Sequence, residues 1–472
     1  MNSRKECAAV LLPLLLAAAP LLGQTNGTDT GGTDTIVIDE EALFGEPAEE
    51  SEEAPAENGS SEDASELVEE LEATETQTDS LLLTSPGVEI GGRYGFSATG
   101  GWFWEDALFG GFGPPERSSL AVELGADLFF DARPSRDARV FGKASLTYPF
   151  DDAGGSRSFD EAFHVKELFS DFHWKEVLFF RGGKHTLNWG VGTFFSPADL
   201  LNVTEIDPRD PEAEREGPVS LRANLPLNVH NLYLYLTADS AAAVQDIGLA
   251  ARAEVVLGSV ELGAGAFYQR EAAPSAMATL SAAAGDVDLF AETVLRYGSD
   301  RTFLVESATA PLGIEPVLYD DTFFFHATAG LAAAFSFDRT ASSLALAAQY
   351  YYNGEGYADT RILADNEPAV LAYLGSGDIS AADLSNTGRH YAAASASWTD
   401  IGGSPFTARL FWMQNLSDMS GLLRPVLSVK LFDRITIGLA PSLSYGDAGA
   451  ELSPNGSSSS LEIGVEMGGS SF

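Results

Sequence analysis

From Val88 to Phe472 the chain alternates apolar and polar residues in segments of about ten to thirteen. In one segment Leu120, Val122, Leu124, Ala126, Leu128 and Phe130 share one parity, while Glu123, Gly125 and Asp127 hold the other. Successive side chains of a strand point to opposite faces, so a period of two predicts strands with one apolar and one polar side. Eighteen segments fit: 88–104, 118–131, 138–150, 164–174, 176–187, 217–225, 229–238, 247–257, 260–270, 276–284, 287–298, 321–337, 342–353, 389–399, 406–416, 422–431, 435–446 and 458–471. Each is long enough to cross a bilayer at a tilt, and beyond the first 23 residues no run of about 18 apolar residues supports a helical span. The fold class expected is all-β, a transmembrane antiparallel β-barrel of about 18 strands.

The connections support that count. Barrels of this kind have an even strand number, short periplasmic turns and longer outer loops. With the first strand running outward, 105–117, 151–163, 188–216, 299–320, 354–388 and 447–457 all fall outside. Lys175, Gly258-Ser259, Gly285-Asp286, Asp338 to Ala341 and Asp433-Arg434 fall in the periplasm. The agreement depends on a break at Pro226-Leu227-Asn228, where proline removes a ladder donor and asparagine favours a turn. Sixteen strands is the alternative count.

The first part of the chain has a different character. Arg4 and Lys5 followed by the apolar stretch Val10 to Leu22 read as a signal peptide over 1–23, with the only cysteine, Cys7, inside it. Residues 24–86 hold 19 acidic and no basic residues and few aromatics, so they are expected to form a disordered acidic arm in the periplasm. Residues 87–472 are the barrel. A net charge of −42 argues against nucleic acid as a partner. The terminal Phe472 is expected to be read by the barrel-assembly machinery, yet Leu461, Ile463, Val465 and Met467 are out of phase with it. Either a bulge at Gly468-Gly469 restores the phase or the terminal signal is degenerate.

The two faces imply two environments. The apolar side is expected to meet outer-membrane lipid, with girdles of aromatics at strand ends: Trp102, Phe103 and Trp104, Tyr148 and Phe150, Tyr350 to Tyr352, Trp398, Phe411 and Trp412. The polar side carries Lys143, Arg252, Arg296, Arg409, Arg424 and Lys430, with Glu123, Asp127, Glu254, Glu261, Asp288, Glu292, Glu462 and Glu466. These fourteen are the expected pore lining. A barrel of 16 to 18 strands is too wide for side chains to fill, so a water-filled lumen passing small hydrophilic solutes is expected. The acidic excess predicts a weak cation preference, and no cluster of Arg and Lys marks an anion filter. The competing expectation is a plugged lumen in a surface-structural or adhesion barrel, with loops 299–320 and 354–388 meeting a partner. A short helical turn is expected near Ser380-Ala381-Ala382. Oligomeric state is not legible.

One segment has a family look. Phe179-Phe180-Arg181-Gly182-Gly183-Lys184-His185 leads to Asn188-Trp189-Gly190, then Asp199, Asn202 and Asp207-Pro208-Arg209-Asp210-Pro211. It resembles a poorly characterised group of porin-like outer-membrane barrels, in which Gly-Lys, Trp-Gly and Asp-x-x-Asn recur in this order. The resemblance implies the fold and no particular substrate. Independently, a connection this long with so many polar groups exceeds what joining two strands needs. It is expected to fold inward as a constriction, with Lys184 pairing to Asp199, Asp207 or Asp210 and Trp189 packing at its root. An outer surface loop is the alternative.

Other chemistry finds little support. The six histidines form no His-Glu-x-x-His, and no cysteine ligand exists outside the leader, so neither zinc nor any other cofactor is expected. Asp207 to Glu216 lacks the alternation and glycine of a calcium loop. Glu167, Asp171 and His173 share a face, but their inferred periplasmic position is wrong for an outer-rim acid–base pair. No enzyme is expected.

Overall fold

A computed structural model describes residues 81–471 except 86, 107, 136, 150–161, 212, 240, 338–340 and 433. The signal segment, nearly all of the acidic arm and Phe472 lie outside the described residues. Eighteen antiparallel strands form a closed ring. They begin with β1 (Val88–Trp104), β2 (Arg117–Ser135), β3 (Ala138–Pro149), β4 (Phe163–Trp174), β5 (Leu178–Lys184) and β6 (Val219–Leu227). Then follow β7 (His230–Thr237), β8 (Gly248–Leu257), β9 (Val260–Tyr268), β10 (Ser275–Ala284), β11 (Val287–Tyr297) and β12 (Phe323–Ser336). The ring ends with β13 (Ser343–Tyr352), β14 (His390–Thr399), β15 (Phe406–Asn415), β16 (Gly421–Leu431), β17 (Ile435–Tyr445) and β18 (Ser458–Ser471).

Each strand pairs with its neighbours in sequence, and β1 pairs with β18 from Arg93↔Ser471 to Trp104↔Ser459. Closure removes the sheet edges, which is the one way a wide sheet leaves no unpaired rim. Where β18 ends, the short strand Leu81–Ser85 pairs with Val88–Gly91 of β1. The sixteen-strand alternative is thereby set aside. The break between β6 and β7 falls at Asn228, whose φ of 66° is that of a tight turn, and Pro226 stays inside β6 opposite Asn231.

Register explains two local irregularities. In β18 the pairing steps from Tyr94↔Ser470 to Gly95↔Gly468, so one residue bulges at Gly468, whose φ is 125°. A bulge at the glycines was one of the two alternatives for the phase mismatch, whose end point Phe472 lies outside the described residues. In β4 the pairing skips Lys166, so the exposed apolar residues change parity from Phe163 and Val165 to Leu168 and Phe172.

Outward positions form a continuous exposed apolar band, for example Leu120, Leu124 and Leu128 on β2 and Leu232, Leu234 and Leu236 on β7. So much exposed hydrocarbon on one surface fits lipid contact and not a water-soluble exterior. The aromatic girdle needs correction. Adjacent aromatics cannot all face outward at period two, so Tyr351 and Phe411 turn inward and pack in the lumen while Tyr350 and Trp412 stay on the outer face.

Among the described residues the long connections lie at one end. There the hairpin Thr302–Glu306 with Ile314–Leu318 packs on the helix Glu367–Ser376 through Leu304, Ile314, Ala369, Val370 and Ile379. The expected helical turn is the 3-10 segment Ala381–Leu384, and the longer helix beside it is an addition. The wall is uneven in height: β1 and β2 have 17 and 19 residues, whereas β5 has 7. The 185–218 loop leaves from this low side.

Candidate functional site

The loop between β5 and β6 enters the lumen because its stems permit a sharp departure. Gly183 has φ 136°, and a Cβ there would lie 2.2 Å from the Leu168 carbonyl oxygen. A Cβ on Gly217 would lie 1.9 Å from the His185 carbonyl oxygen, so the stems approach as only glycine allows. Above them Asn202 clips the neck. Its Oδ1 accepts from the Leu187 N–H at 2.9 Å, and its Nδ2 donates to the Leu187 carbonyl at 2.6 Å and to Asp199 at 2.9 Å. Arg215 donates to Asp199 at 2.8 Å. Burial pushes the Asp199 carboxyl above its ordinary value, against the pull of Arg215 and Asn202.

Beyond the neck the loop is fastened to the barrel wall. Trp189 is fully buried in a cluster with Leu187, Ala198 and Leu201 of the loop and Tyr235, Ala250, Met277 and Val294 of β7, β8, β10 and β11. Glu292 on β11 is 1% exposed. Its carboxylate accepts from the backbone N–H of Val191, of Gly192 at 2.6 Å and of Ala198 at 2.9 Å, and from the Ser196 hydroxyl at 3.0 Å. Gln349 on β13 accepts from the Phe194 N–H at 2.7 Å and donates to the Phe195 carbonyl at 2.5 Å. Phe194 and Phe195 pack on Tyr351, Tyr391, Ala393, Phe411 and Met413 of β13 to β15. The loop therefore reaches from the low wall to strands on the other side of the ring.

This arrangement reassigns several expected residues. Glu292 and Arg252, expected in the pore lining, anchor the loop: Arg252 donates to the Asn188 carbonyl at 2.5 Å and pairs with Glu254 at 2.9 Å. Lys184 pairs with Glu216 and not with Asp199, Asp207 or Asp210. Asp207 turns back to Arg209 at 3.2 Å, and the Asp210 N–H donates to the Asp207 carbonyl; both side chains are exposed. The Lys184–Glu216 contact holds the Glu216 carboxyl below its ordinary value.

The remaining charges sit as follows. Lys143 pairs with Glu214 of the loop at 2.7 Å, Asp127 with Arg93 at 2.7 Å, and Arg424 with Glu462 at 2.8 Å. Arg296 lies 3.6 Å from Glu355, which also has His326 at 3.5 Å. Glu123, Arg409, Lys430 and Glu466 are exposed on the inner parity; Glu261 and Asp288 are partly exposed.

Sequence spacing missed a row of charge because it spans five strands. Arg139 on β3 pairs with Asp131 of β2 at 3.1 Å, Arg181 on β5 pairs with Asp171 of β4 at 2.7 Å, and Arg222 on β6 lies opposite Arg181. Register assembles this row of three arginines and two aspartates from residues far apart in sequence. The face shared by Asp171 and His173 serves ion pairs, since His173 meets Asp137 at 3.2 Å. Among the described residues no three His, Cys, Asp or Glu side chains gather as metal ligands.

No family model matches the chain, and no curated protein does. Solved structures are similar in shape. Salmonella typhi OmpF in complex with daunomycin aligns over 82% of this chain and 99% of that one, at 10% identity and a TM-score of 0.40. Acinetobacter baumannii OccAB1 aligns over 80% and 96%, at 11% and 0.43. Pseudomonas aeruginosa OccK1 aligns over 81% and 99%, at 11% and 0.42.

Proposed function

We propose that this protein is an outer-membrane channel for passive diffusion of small hydrophilic solutes, with a weak preference for cations. The observation that supports the reading is an eighteen-strand ring whose inner face is charged and whose 185–218 loop is fastened to the inner wall. A ring of this size exceeds what inward side chains fill, so water occupies the remainder. The apolar band seats it in outer-membrane lipid, after export by the signal peptide and delivery by the assembly machinery through Phe472. The acidic arm stays in the periplasm. The acidic excess at the lumen and mouth, against partly self-paired bases, favours cations.

Planar-bilayer recording of purified, refolded protein tests both parts. Discrete conductance steps are expected, and a salt gradient should give a small reversal potential of cation sign. Absence of steps would leave a plugged structural barrel, and an anion-signed potential would remove the selectivity.

A further inference from the structure

Between Glu367 and Ser376 the helix at the outer end reads Pro-Ala-Val-Leu-Ala-Tyr-Leu-Gly, with no charged side chain. Its one polar side-chain group, the Tyr373 hydroxyl, is spent on the Ile314 carbonyl at 2.8 Å. Ala369 and Val370 are buried against the hairpin, yet Leu371 and Leu374 are 58% and 37% exposed. Residues three apart share a helix face. A helix that is apolar on every side is ordinarily covered on every side, so this one presents a face without a partner.

The charge around that face narrows what can cover it. Loops 299–320 and 354–388 together hold ten acidic residues and two arginines. Arg361 is paired with Asp359, and Arg301 donates to the carbonyls of Asp383 and Asn386. Glu306, Glu315 and Glu367 are exposed and have no cationic partner among the described residues. Glu367 begins the helix. Glu315 follows Ile314 in the hairpin and Glu306 pairs with Ile314 across it, so both stand next to the residue that Tyr373 grips. A second copy of this surface would set acid against acid, and the phosphates of an outer-leaflet lipid would meet the same repulsion.

We propose that the exposed face of the helix Glu367–Ser376 docks a basic amphipathic helix of another protein. Its apolar stripe covers Leu371 and Leu374, and its lysines or arginines meet Glu306, Glu315 and Glu367. Docking at this face needs no conduction and is independent of the channel reading.

The experiment is binding kinetics on the full chain held in a neutral detergent. The probe is a leucine–lysine peptide with its leucines at helical period. It should bind saturably and more weakly as salt rises, and its leucine–glutamate counterpart should not bind. Leu371→Ser combined with Leu374→Ser should weaken binding about tenfold through faster dissociation. Glu315→Gln combined with Glu367→Gln should slow association and flatten the salt dependence. Met419→Ser, at an exposed apolar residue between β15 and β16, should bind as the wild type does. No saturable binding to the wild type, equal binding of the glutamate peptide, or unchanged kinetics in the leucine pair overturns the proposal. Light scattering tests the rival occupant: self-association that the leucine pair abolishes would assign the face to a second copy and overturn the proposal as well. If the leucine pair does not fold, the glutamate pair decides alone, and an unchanged association rate and salt dependence there overturns it.

Discussion

Glu292 shows how one side chain sets the shape of the passage. A carboxylate has room for several donors, and here three backbone N–H groups and one hydroxyl of the loop converge on it. Removing it orphans those donors, and each buried group left unmet costs about 1–3 kcal/mol. The Trp189 cluster shares only Ala198 with this contact and is otherwise held by Leu187, Leu201 and four wall residues, so the barrel should persist while the loop tip detaches. Glu292→Ala is expected to keep the fold, judged by strand-rich circular dichroism, and to raise mean single-channel conductance with more current noise. A variant with wild-type conductance would show that the passage is set elsewhere.

Among the elements, the strands and their order were readable, because period two is a direct consequence of which face meets lipid. The inward loop was half readable. Its length and the Asp199–Asn202 spacing marked it, and both residues clip the neck; its partners were not, since Glu292 and Gln349 come from strands about one hundred or more residues away. Lys184 illustrates the limit: three acids were nearby in sequence, and the chain fold brought a fourth, Glu216. The cap over the outer end makes a prediction at this scale. Asp383 accepts from the Thr302 N–H at 2.8 Å and from the Ser380 N–H and hydroxyl, and its neighbour Arg301 donates to the Asp383 carbonyl. Burial works to raise the Asp383 carboxyl, but these hydrogen bonds and the Arg301 charge outweigh it and hold it below 3.8. A carboxylate lowered by folding contributes stability that is full above its unfolded value and lost as pH falls through the folded value. The hairpin Thr302–Glu306 should therefore keep its amide protection at pH 6 and lose it below about pH 4. Asp383→Asn should lose part of that protection already at pH 6. Protection unchanged in the variant would mean that the apolar contacts of Leu304 and Ile314 hold the cap alone.

At the scale of the whole ring, closure is only as good as its weakest seam. Pro425 on β16 and Pro441 on β17 stand opposite each other, and the ladder between these strands skips from Leu423↔Leu443 to Leu427↔Leu439. Neither proline has an N–H to give, so the rungs between are lost, while the outer ladders of both strands run through without interruption. Outside, the same place is an apolar groove of about 480 Å³ that includes Trp398, Leu410, Pro425, Leu439 and Pro441. Inside, Arg424 reaches over β17 to Glu462 of β18 and bridges the gap. Both partners are more than a third exposed, so this bridge contributes at most about 1 kcal/mol and cannot replace the missing rungs. The ring should therefore open between β16 and β17 before it opens between β10 and β11. Hydrogen exchange in detergent should show the centres of 421–431 and 435–445 exchanging well before 275–284 and 287–297, whose ladder is complete. Glu462→Gln should change that order little, because the bridge lies across the seam without closing it. Uniform protection around the ring would mean that the flanking ladders alone carry the closure.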